Sequence, residues 1–232
     1  MHVEFLKSIP FFKDIPSNLI DSLSSKVNSS TYKKGEYIFH ESDEAKAVFF
    51  VKKGSIKIKK STVQGRELIV CIKRAGNIFA EASLFSEPGS CYPGSAQTLS
   101  DTEVLYLLNS DLEEIMASNP ALSIEMIRFM GTQLHSFTSL LRDIALLDVY
   151  TNTIKAIDKL AREFGTKTKC GVRIELPLTI QDLANTIGST REVVSRTVSK
   201  LKEQGLVTIE GKTIIINNWC DFCKMFAETI ES

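Results

Sequence analysis

Short apolar runs separated by glycine or polar turns dominate the chain from about Thr31 to Leu108. Their β-branched and aromatic residues, at this spacing, are typical of an antiparallel β domain of the jelly-roll or barrel kind. The predicted strands are Tyr37 to Phe39, Ala47 to Val51, Ser55 to Lys59, Glu67 to Ile72, Ser95 to Thr98 and Glu103 to Leu107. Strict alternation in the third run places Ile56 and Ile58 on one face and the lysines on the other, which we interpret as the solvated face.

Helical spacing flanks this β domain on both sides. Apolar residues recur at helical intervals before it, which predicts short N-terminal helices packed on the β domain: Phe11, Phe12, Ile15, Leu19, Ile20 and Leu23. After it, Pro120 opens a long segment that runs to about Leu147 with no further proline. At 1.5 Å per residue this predicts a helix of roughly 40 Å.

A heptad seam follows this long helix. Its apolar positions are spaced by 3, 4, 3, 4 and 3 residues: Ile127, Met130, Leu134, Phe137, Leu141 and Ile144. This spacing is typical of a coiled coil, here between two copies of the chain. A second apolar set lies on another face and is suited to pack on the β domain: Leu122, Met126, Phe129 and Leu140. The alternative is a helix buried within one chain.

Beyond the long helix, the pattern indicates a separate domain that begins near Asp148. A helical pattern runs to about Phe164 and stops at Gly165. The segment from Arg173 to Leu176 then alternates as a short strand, which Pro177 ends.

The segment from Leu178 to Leu206 carries the pattern helix, tight turn, helix. Thr179 with Asp182 resembles a capping box at the first helix, and Gly188 permits a sharp turn. Ser189-Thr190-Arg191-Glu192 fits a second capping box with Ser189 as the cap. The predicted buried positions are Leu183, Ala184 and Ile187 in the first helix and Val194, Val198 and Leu201 in the second. This is the signature of a helix-turn-helix.

The outer face of the second helix carries one polar stripe from its N-terminus: Arg191, Glu192, Ser195, Arg196 and Ser199. In a helix-turn-helix, this end enters the major groove. Arginine can pair with guanine O6 and N7, and glutamate can accept from cytosine N4, so the stripe is suited to base readout. The other interpretation is a set of solvated charges, with Glu192 and Arg196 paired at i, i+4.

A tight hairpin follows the helix-turn-helix. The runs Leu206 to Ile209 and Thr213 to Ile216 flank Glu210-Gly211-Lys212, which predicts a wing whose Lys212 is suited to a phosphate contact. The candidate DNA contacts are Thr179, Gln181, Ser189, Thr190, Arg191, Glu192, Ser195, Arg196 and Lys212. We therefore predict an α+β fold in three parts: an N-terminal β-roll over 1–119, a dimerisation helix over 120–147 and a C-terminal winged helix-turn-helix over 148–232.

Charge restricts how such a chain could bind DNA. The 232 residues carry 28 Lys or Arg and 28 Asp or Glu, so no whole-chain field marks a nucleic-acid or membrane binder. From Asp148 to Ser232 there are 12 basic and 11 acidic residues, a net charge of +1, so binding must depend on local placement and dimerisation. No apolar run approaches the roughly 18 residues of a membrane span, and the first residues lack a secretory signal pattern. We expect a cytoplasmic protein with no membrane partner.

The order of β-roll, long helix, Leu147-Asp148-Val149 hinge and winged helix resembles the CRP/FNR family of bacterial transcription regulators over nearly the whole chain. The most specific motif runs from Leu178 to Ala184, continues through Gly188 to Arg196 and ends with Gly211-Lys212-Thr213-Ile214. The resemblance implies a cyclic-nucleotide-binding-like jelly roll, a homodimer and a palindromic site on double-stranded DNA. In relatives with an Arg-Glu-x-x-x-Arg recognition face the half-site is TGTGA-like, and Arg191, Glu192 and Arg196 match that face.

The effector side departs from the cyclic AMP pattern of the family. Members that bind cyclic AMP hold the ribose with Gly-Glu-Leu and clamp the phosphate with Arg-Ser-Ala. The matching stretches here are Ala80-Glu81-Ala82 and Gly94-Ser95-Ala96. Gly94 thus stands where those members have the arginine that binds the phosphate. Burying a phosphate costs desolvation free energy, and without this bidentate cation nothing offsets the cost, which argues against cyclic AMP.

A further departure lies on the dimer helix, where Phe137 and Thr138 align with the pair that meets the adenine in such relatives. Phe137 supplies no hydrogen bond there, so the pocket is either filled by Phe137 or open to another ligand. The candidate effector-pocket residues are Glu81, Ser83, Ser95, Ala96, Phe137 and Thr138.

Five cysteines are too few and too scattered for a disulfide framework: Cys71, Cys91, Cys170, Cys220 and Cys223. Cys220-x-x-Cys223 has ligand-like spacing, and some family members carry cluster cysteines near the C-terminus. A cluster takes about four ligands, and Cys170 is the one other cysteine in this domain, so we expect buried structural thiols and no metal. A redox pair and a metal or cluster site are the alternatives. Neither His40 nor His135 has a second metal-ligating residue at a recognisable spacing. The sequence therefore gives no support for a haem or iron–sulfur sensor and does not exclude one.

The sequence thus predicts a homodimeric, sequence-specific DNA-binding regulator switched by an effector or redox signal other than cyclic AMP. RNA polymerase is a further partner if the protein is an activator, with the loop from Thr166 to Gly171 as a candidate surface. The alternatives are a cyclic-nucleotide-responsive regulator and a sensor module acting through protein partners. We expect no enzyme, because Gly211-Lys212-Thr213 resembles the end of a P-loop but Leu206 replaces its first glycine.

Overall fold

The computed structural model describes residues 3–12, 15–87 and 89–231. Contacts divide the chain into two compact units. Unit one holds the residues up to Lys60 and Val70–Thr138, and unit two holds Ser61–Ile69 and the chain from Ser139 onward. Among the described helices, none combines the length and the apolar character that a bilayer crossing requires.

The helices confirm most of the predicted helical segments. They are α1 (Val3–Ser8), α2 (Ser17–Lys26), α3 (Asn109–Ala117), α4 (Pro120–Leu146), α5 (Val149–Phe164), α6 (Ile180–Thr186), α7 (Arg191–Glu203) and α8 (Trp219–Glu231), with 3₁₀ turns at Pro10–Phe12 and Glu81–Phe85. Helix α3 was not predicted, because it buries only Leu112 and Ile115 and so carries little apolar periodicity.

The strands confirm the six predicted runs of the N-terminal domain, with ends shifted by at most two residues. They are β1 (Asn28–Tyr32), β2 (Tyr37–Phe39), β3 (Ala47–Lys53), β4 (Ser55–Ser61), β5 (Glu67–Arg74), β6 (Ile78–Phe79), β7 (Ser95–Thr98), β8 (Thr102–Leu108), β9 (Gly165–Lys167), β10 (Val172–Ile174), β11 (Val207–Glu210) and β12 (Thr213–Ile216). The polar strand β1 was missed because its pairing with β8, and not its own side chains, makes it a strand.

The β-roll consists of two four-stranded sheets, in the orders β1-β8-β3-β6 and β2-β7-β4-β5. Strand β3 is buried on both faces, because Val48 and Phe50 belong to one core cluster and Phe49 and Val51 to another. The first cluster packs the roll against the N-terminal helices and the start of α4, where Leu122 and Met126 are fully buried. This confirms the predicted packing face of α4 at these two residues.

Lys59 on β4 corrects the interpretation that the lysines of this strand form a solvated face. The residue is only 5% exposed, and its Nζ lies 5.2 Å from the centroid of the Tyr37 ring. Lys57 on the same face is half-buried, so this face is not the solvated one. The aliphatic stem is buried while the ammonium group lies over an aromatic face.

Unit two contains a small sheet in the order β11-β12-β10-β9, with α5, α6, α7 and α8 in the same unit. Asp148 caps α5 by accepting hydrogen bonds from the backbone N–H groups of Tyr150 and Thr151. Strand β9 was missed, since the sequence indicates only a helix stop at Gly165. A Cβ on Gly165 would lie 2.1 Å from the Ala161 carbonyl oxygen, so only glycine fits this close approach.

Candidate nucleic-acid interface

A capping box fixes the start of α6. The Thr179 hydroxyl accepts a hydrogen bond from the Asp182 backbone N–H at 3.0 Å, and the Asp182 carboxylate accepts one from the Thr179 N–H at 3.0 Å. The predicted cap is therefore confirmed, and Leu183 and Ala184 of this helix are fully buried as expected. Thr179 and Gln181 are exposed, and the Gln181 amide donates to Asn185 Oδ1 at 2.8 Å.

The turn between α6 and α7 closes on the first helix. The Ser189 N–H donates to the Ala184 carbonyl at 3.0 Å, and Gly188 has a φ of +67°, a conformation that favours glycine. Helix α7 therefore begins one residue later than a Ser189 cap requires. Its N-cap is Thr190, which makes no side-chain cap bond, so the predicted Ser189 capping box is wrong.

Helix α7 buries one face and exposes the other. Val194, Val198 and Leu201 are at most 3% exposed, as the spacing predicts. The opposite face is exposed at every predicted position: Thr190, Arg191, Glu192, Ser195, Arg196 and Ser199. Ser189, in the turn, is half-buried.

Glu192 lies in the first turn of α7, where its carboxylate is held in the charged form. Hydrogen bonds from its own backbone N–H and from the Thr190 side chain keep the pKa of Glu192 below its usual value, and Arg191 and Arg196 act in the same direction. An ionised carboxylate only accepts hydrogen bonds. The face thus presents two guanidinium groups that donate hydrogen bonds and one carboxylate that accepts them.

The wing follows as the hairpin of β11 and β12. Glu210 pairs with Thr213, which leaves Gly211 and Lys212 as the turn, and Gly211 has a φ of +61°. The Lys212 side chain is exposed at this tip. Sequence reasoning missed Arg173 of β10, whose Nη1 lies 3.2 Å from Glu210 Oε2 and compensates the carboxylate beside the tip. Arg173 lies on β10 and Glu210 on β11, and the two strands share a sheet because each pairs with β12. No local sequence signal could therefore have predicted the contact between Arg173 and Glu210.

Helix α7 is also supported at its C-terminal end. Lys200 Nζ lies 4.7 Å from the centroid of the Tyr150 ring at the start of α5. Such a cation–π contact contributes roughly 0.5–1 kcal/mol at an exposed site. The contact links the C-terminal end of α7, the second helix of the helix-turn-helix, to the N-terminal turn of α5.

The predicted effector residues lie on three elements of unit one. Glu81 and Ser83 are buried on the 3₁₀ turn, Ser95 and Ala96 lie on β7, and Phe137 and Thr138 lie on the exposed side of α4. Burial raises the pKa of Glu81, and Lys73 opposes this shift. Phe137 is 43% exposed in the single chain.

Hydrogen bonds within the protein already engage the two serines. The Ser83 hydroxyl donates to the Ala80 carbonyl at 2.7 Å, and the Ser95 hydroxyl accepts from the Glu41 N–H at 2.9 Å. The interior beside Ala96 is aromatic, with the Phe39 and Tyr92 rings stacked at 3.8 Å between centroids. The Ser83 hydroxyl proton is therefore used within the protein, whereas the bond to Ser95 uses an oxygen lone pair and not the hydroxyl proton that a phosphate would accept.

The cysteine expectation needs a correction. Cys170 and Cys220 are exposed and Cys223 is half-buried, so the thiols near the C-terminus are not the buried core groups expected. Burial raises the pKa of the Cys223 thiol, and the nearby Asp158 carboxylate adds to this shift. A raised pKa lowers the fraction of reactive thiolate. Among residues 3–12, 15–87 and 89–231, no three His, Cys, Asp or Glu side chains cluster as a metal site would require.

Comparisons with known proteins agree with this architecture. The family description "Cyclic nucleotide-binding domain" matches residues 29–119, and "Crp-like helix-turn-helix domain" matches residues 146–224. The "Anaerobic regulatory protein" of Bacillus subtilis is 32% identical over 216 residues, which cover 92% of this chain and 90% of the relative. The "CRP-like cAMP-activated global transcriptional regulator" of Mycobacterium tuberculosis is 25% identical and covers 93% of this chain and 95% of its own length.

Solved structures show the same fold. The structure of FixK2 from Bradyrhizobium japonicum superposes with a TM-score of 0.75 at 21% identity, covering 85% of this chain and 96% of that one. The β-roll, the long helix and the winged helix-turn-helix thus occur together in a solved structure. Because it is 32% identical to the Bacillus subtilis regulatory protein over 92% of its length and matches the Crp-like helix-turn-helix domain, this chain belongs to the CRP/FNR family of DNA-binding transcription regulators.

Proposed function

We propose that this regulator acts as a homodimer that reads a TGTGA-like palindrome through Arg191, Glu192 and Arg196. The observation that carries the proposal is the exposed face of α7, where all three side chains point away from the buried Val194. Each arginine can bind guanine O6 and N7 bidentately, and the ionised Glu192 can accept from cytosine N4. Polar residues around these three are suited to contact the DNA backbone or neighbouring bases: Thr179, Gln181, Ser189, Thr190 and Ser195.

The seam of α4 supports the dimer. Ile127, Leu134 and Leu141 are each at least 65% exposed in the single chain, and Phe137 continues their row. Met130 and Ile144, the other seam positions, are half-buried. Apolar side chains at a and d positions lose this exposure when a second helix packs against them. A dimer would also present two recognition helices to half-sites about 34 Å apart.

The effector in this proposal is a signal other than cyclic AMP. At the position of the phosphate-clamping arginine, a Cβ on Gly94 would lie 3.0 Å from the Lys59 carbonyl oxygen, so a larger residue is crowded there. An effector acts by binding one dimer arrangement better than another. A redox signal fits the name of the Bacillus subtilis relative, whereas the Mycobacterium tuberculosis relative is named for cyclic AMP.

Fluorescence anisotropy with a TGTGA palindrome and a scrambled duplex tests the base readout. We expect Arg191→Ala or Arg196→Ala to cost about 1–3 kcal/mol on the palindrome and much less on the scrambled duplex. Lys169→Ala is the matched control, because it also removes one exposed positive charge but lies outside the helix-turn-helix. Equal losses on both duplexes would contradict base readout.

Two further measurements separate the alternatives. Calorimetric titration with cyclic AMP and cyclic GMP tests the cyclic-nucleotide-responsive regulator, and heat of binding at micromolar ligand would support it. An absorption spectrum of anaerobically purified protein tests for haem or an iron–sulfur centre. A sensor acting through protein partners is favoured if the wild-type protein binds the palindrome no better than scrambled DNA. RNA polymerase recruitment through the β9–β10 loop can be tested by transcription with Lys169→Ala.

A further inference from the structure

We infer that Asp143 is a positioning residue that clamps the last turn of α4 to α5 and so fixes the half-site spacing which the dimer accepts. This inference rests on the proposed DNA readout and adds a residue that touches no nucleotide. All the groups involved lie in unit two, between Ser139 and the end of α5.

Asp143 is 9% exposed, and its Oδ1 accepts from cations on two different helices. Lys155 Nζ of α5 donates to Oδ1 at 2.7 Å, and Arg142, the preceding residue on α4, donates from Nε at 3.0 Å and Nη2 at 2.7 Å. The Lys155 bond crosses between helices, whereas the Arg142 bonds stay on one helix. Only the first can fix the angle between α4 and α5.

A neutral bond reinforces the charged one. The Asn152 side-chain amide of α5 donates to the Asp143 backbone carbonyl at 3.2 Å, and the Leu147 N–H also donates to this carbonyl at 3.2 Å. Asn152 is 7% exposed, so the bond is sheltered from water. The Asp143 carbonyl thus accepts two bonds, one from the residue that follows α4 and one from a side chain of α5. Two polar contacts, one from Lys155 and one from Asn152, thus join α5 to Asp143 across the short Leu147-Asp148 connection.

The position of α5 determines where the recognition helix lies. Helices α5 and α7 pack in the same unit, and Tyr150 of α5 lies under Lys200 of α7. If the α4–α5 angle varies, two recognition helices carried by a dimer sample a range of separations. If it is fixed, the dimer fits one separation, because half-sites must face the protein one helical turn apart.

The test compares Lys155→Met with Arg142→Met, which remove one cation each from the same carboxylate. Anisotropy titrations use palindromes whose half-sites are separated by the optimal spacing or by one base pair more or less. We expect the wild-type protein and Arg142→Met to lose about tenfold in affinity on either altered spacing. Lys155→Met should lose only about twofold, with Lys155→Arg restoring the wild-type pattern.

Circular dichroism melts check that each variant folds, and Asn152→Ala replaces Lys155→Met if that variant does not. If Lys155→Met still loses about tenfold in affinity on the altered spacings, the proposed role of Asp143 is overturned. It is also overturned if Arg142→Met tolerates the altered spacings as well as Lys155→Met does. If the wild-type protein prefers no palindrome over scrambled DNA, the proposed function fails. Hydrogen exchange of the Leu147 amide then decides the clamp separately: faster exchange in Lys155→Met than in Arg142→Met supports it, and equal exchange overturns it.

Discussion

The Asp148 carboxylate accepts two hydrogen bonds from Thr151, one from the backbone N–H at 3.1 Å and one from the hydroxyl at 2.5 Å. These bonds, with a further one from the Tyr150 N–H, satisfy free donors at the start of α5. They favour the ionised form, so the pKa of Asp148 lies below its usual value, with the Thr151 hydroxyl as the largest cause.

Asp148→Ala should therefore lower the free energy of unfolding by about 1 kcal/mol near neutral pH. A depressed pKa in the folded state gives stability that is complete above the unfolded-state pKa of about 3.9 and is lost as the pH falls through the folded-state pKa. Urea denaturation at pH 7 and at successively lower pH below 4 measures the difference between wild type and variant.

Asp148→Asn is the control for this prediction, because asparagine also caps helices but carries no titrating carboxylate. Its unfolding free energy should follow that of the wild-type protein at neutral pH more closely than that of Asp148→Ala. An Asp148→Ala difference that stays constant from pH 7 into the acid range would contradict the assignment of the stability to the ionised carboxylate.

Ala80, just before the buried Glu81, has a φ of +61° and a ψ of 16°. This left-handed conformation costs an L-residue with a Cβ roughly 1–2 kcal/mol, and glycine avoids that cost. Ala80→Gly should raise the free energy of unfolding by about 1 kcal/mol after the greater freedom of glycine in the unfolded chain is subtracted. Chemical denaturation of the purified protein measures this change.

Ala82→Gly provides the matched comparison, because Ala82 lies within the 3₁₀ turn and has no positive φ. The same change there should destabilise by about 0.5–1 kcal/mol. Destabilisation by both substitutions would mean that Ala80 is not strained.

The recognition face could be predicted because its determinants are local. The spacing of Val194, Val198 and Leu201 fixes the buried side of α7, and the exposed stripe follows from the same period. The start of the helix could not be predicted to the residue, since the Ser189 N–H bonds back to Ala184 across the turn. That bond depends on how the turn closes, which the capping pattern does not contain.

Contacts between distant residues account for the other errors. Lys59 alternates as a solvent-facing residue, yet Tyr37 of another strand in the same sheet lies beneath its ammonium group. Strand β1 has polar side chains and is recognisable only by its pairing with β8. In the same way, the bond from Lys155 to Asp143 joins residues twelve apart across a helix junction, where no periodicity marks it.

Leu134→Glu should weaken dimerisation. Leu134 is 65% exposed in the single chain and lies at the centre of the seam, so burial against a partner would contribute roughly 1.5–3 kcal/mol per leucine. A glutamate at this position would instead place two like charges in the apolar seam. We expect the dimer dissociation constant to rise by more than about a hundredfold, as sedimentation equilibrium can measure.

Ser139→Glu is the control for the seam, because Ser139 is exposed on α4 at the heptad position farthest from the seam. It should leave the dissociation constant unchanged within about twofold. A monomeric wild-type protein at micromolar concentration, or equal weakening by both substitutions, would contradict the seam assignment.

Lys212→Ala separates phosphate contact from base readout. Lys212 is exposed at the tip of the wing, so its ammonium group is expected to meet a phosphate, which carries no sequence information. The substitution should weaken binding to the palindrome and to scrambled DNA by the same factor and reduce the slope of log K against log salt by about 1. Anisotropy titrations at salt concentrations from about 50 to about 200 mM measure both the affinity and the slope.

Lys169→Ala is the control and should leave the slope unchanged, since Lys169 lies on the turn between β9 and β10. A loss confined to the palindrome would assign Lys212 to base readout instead.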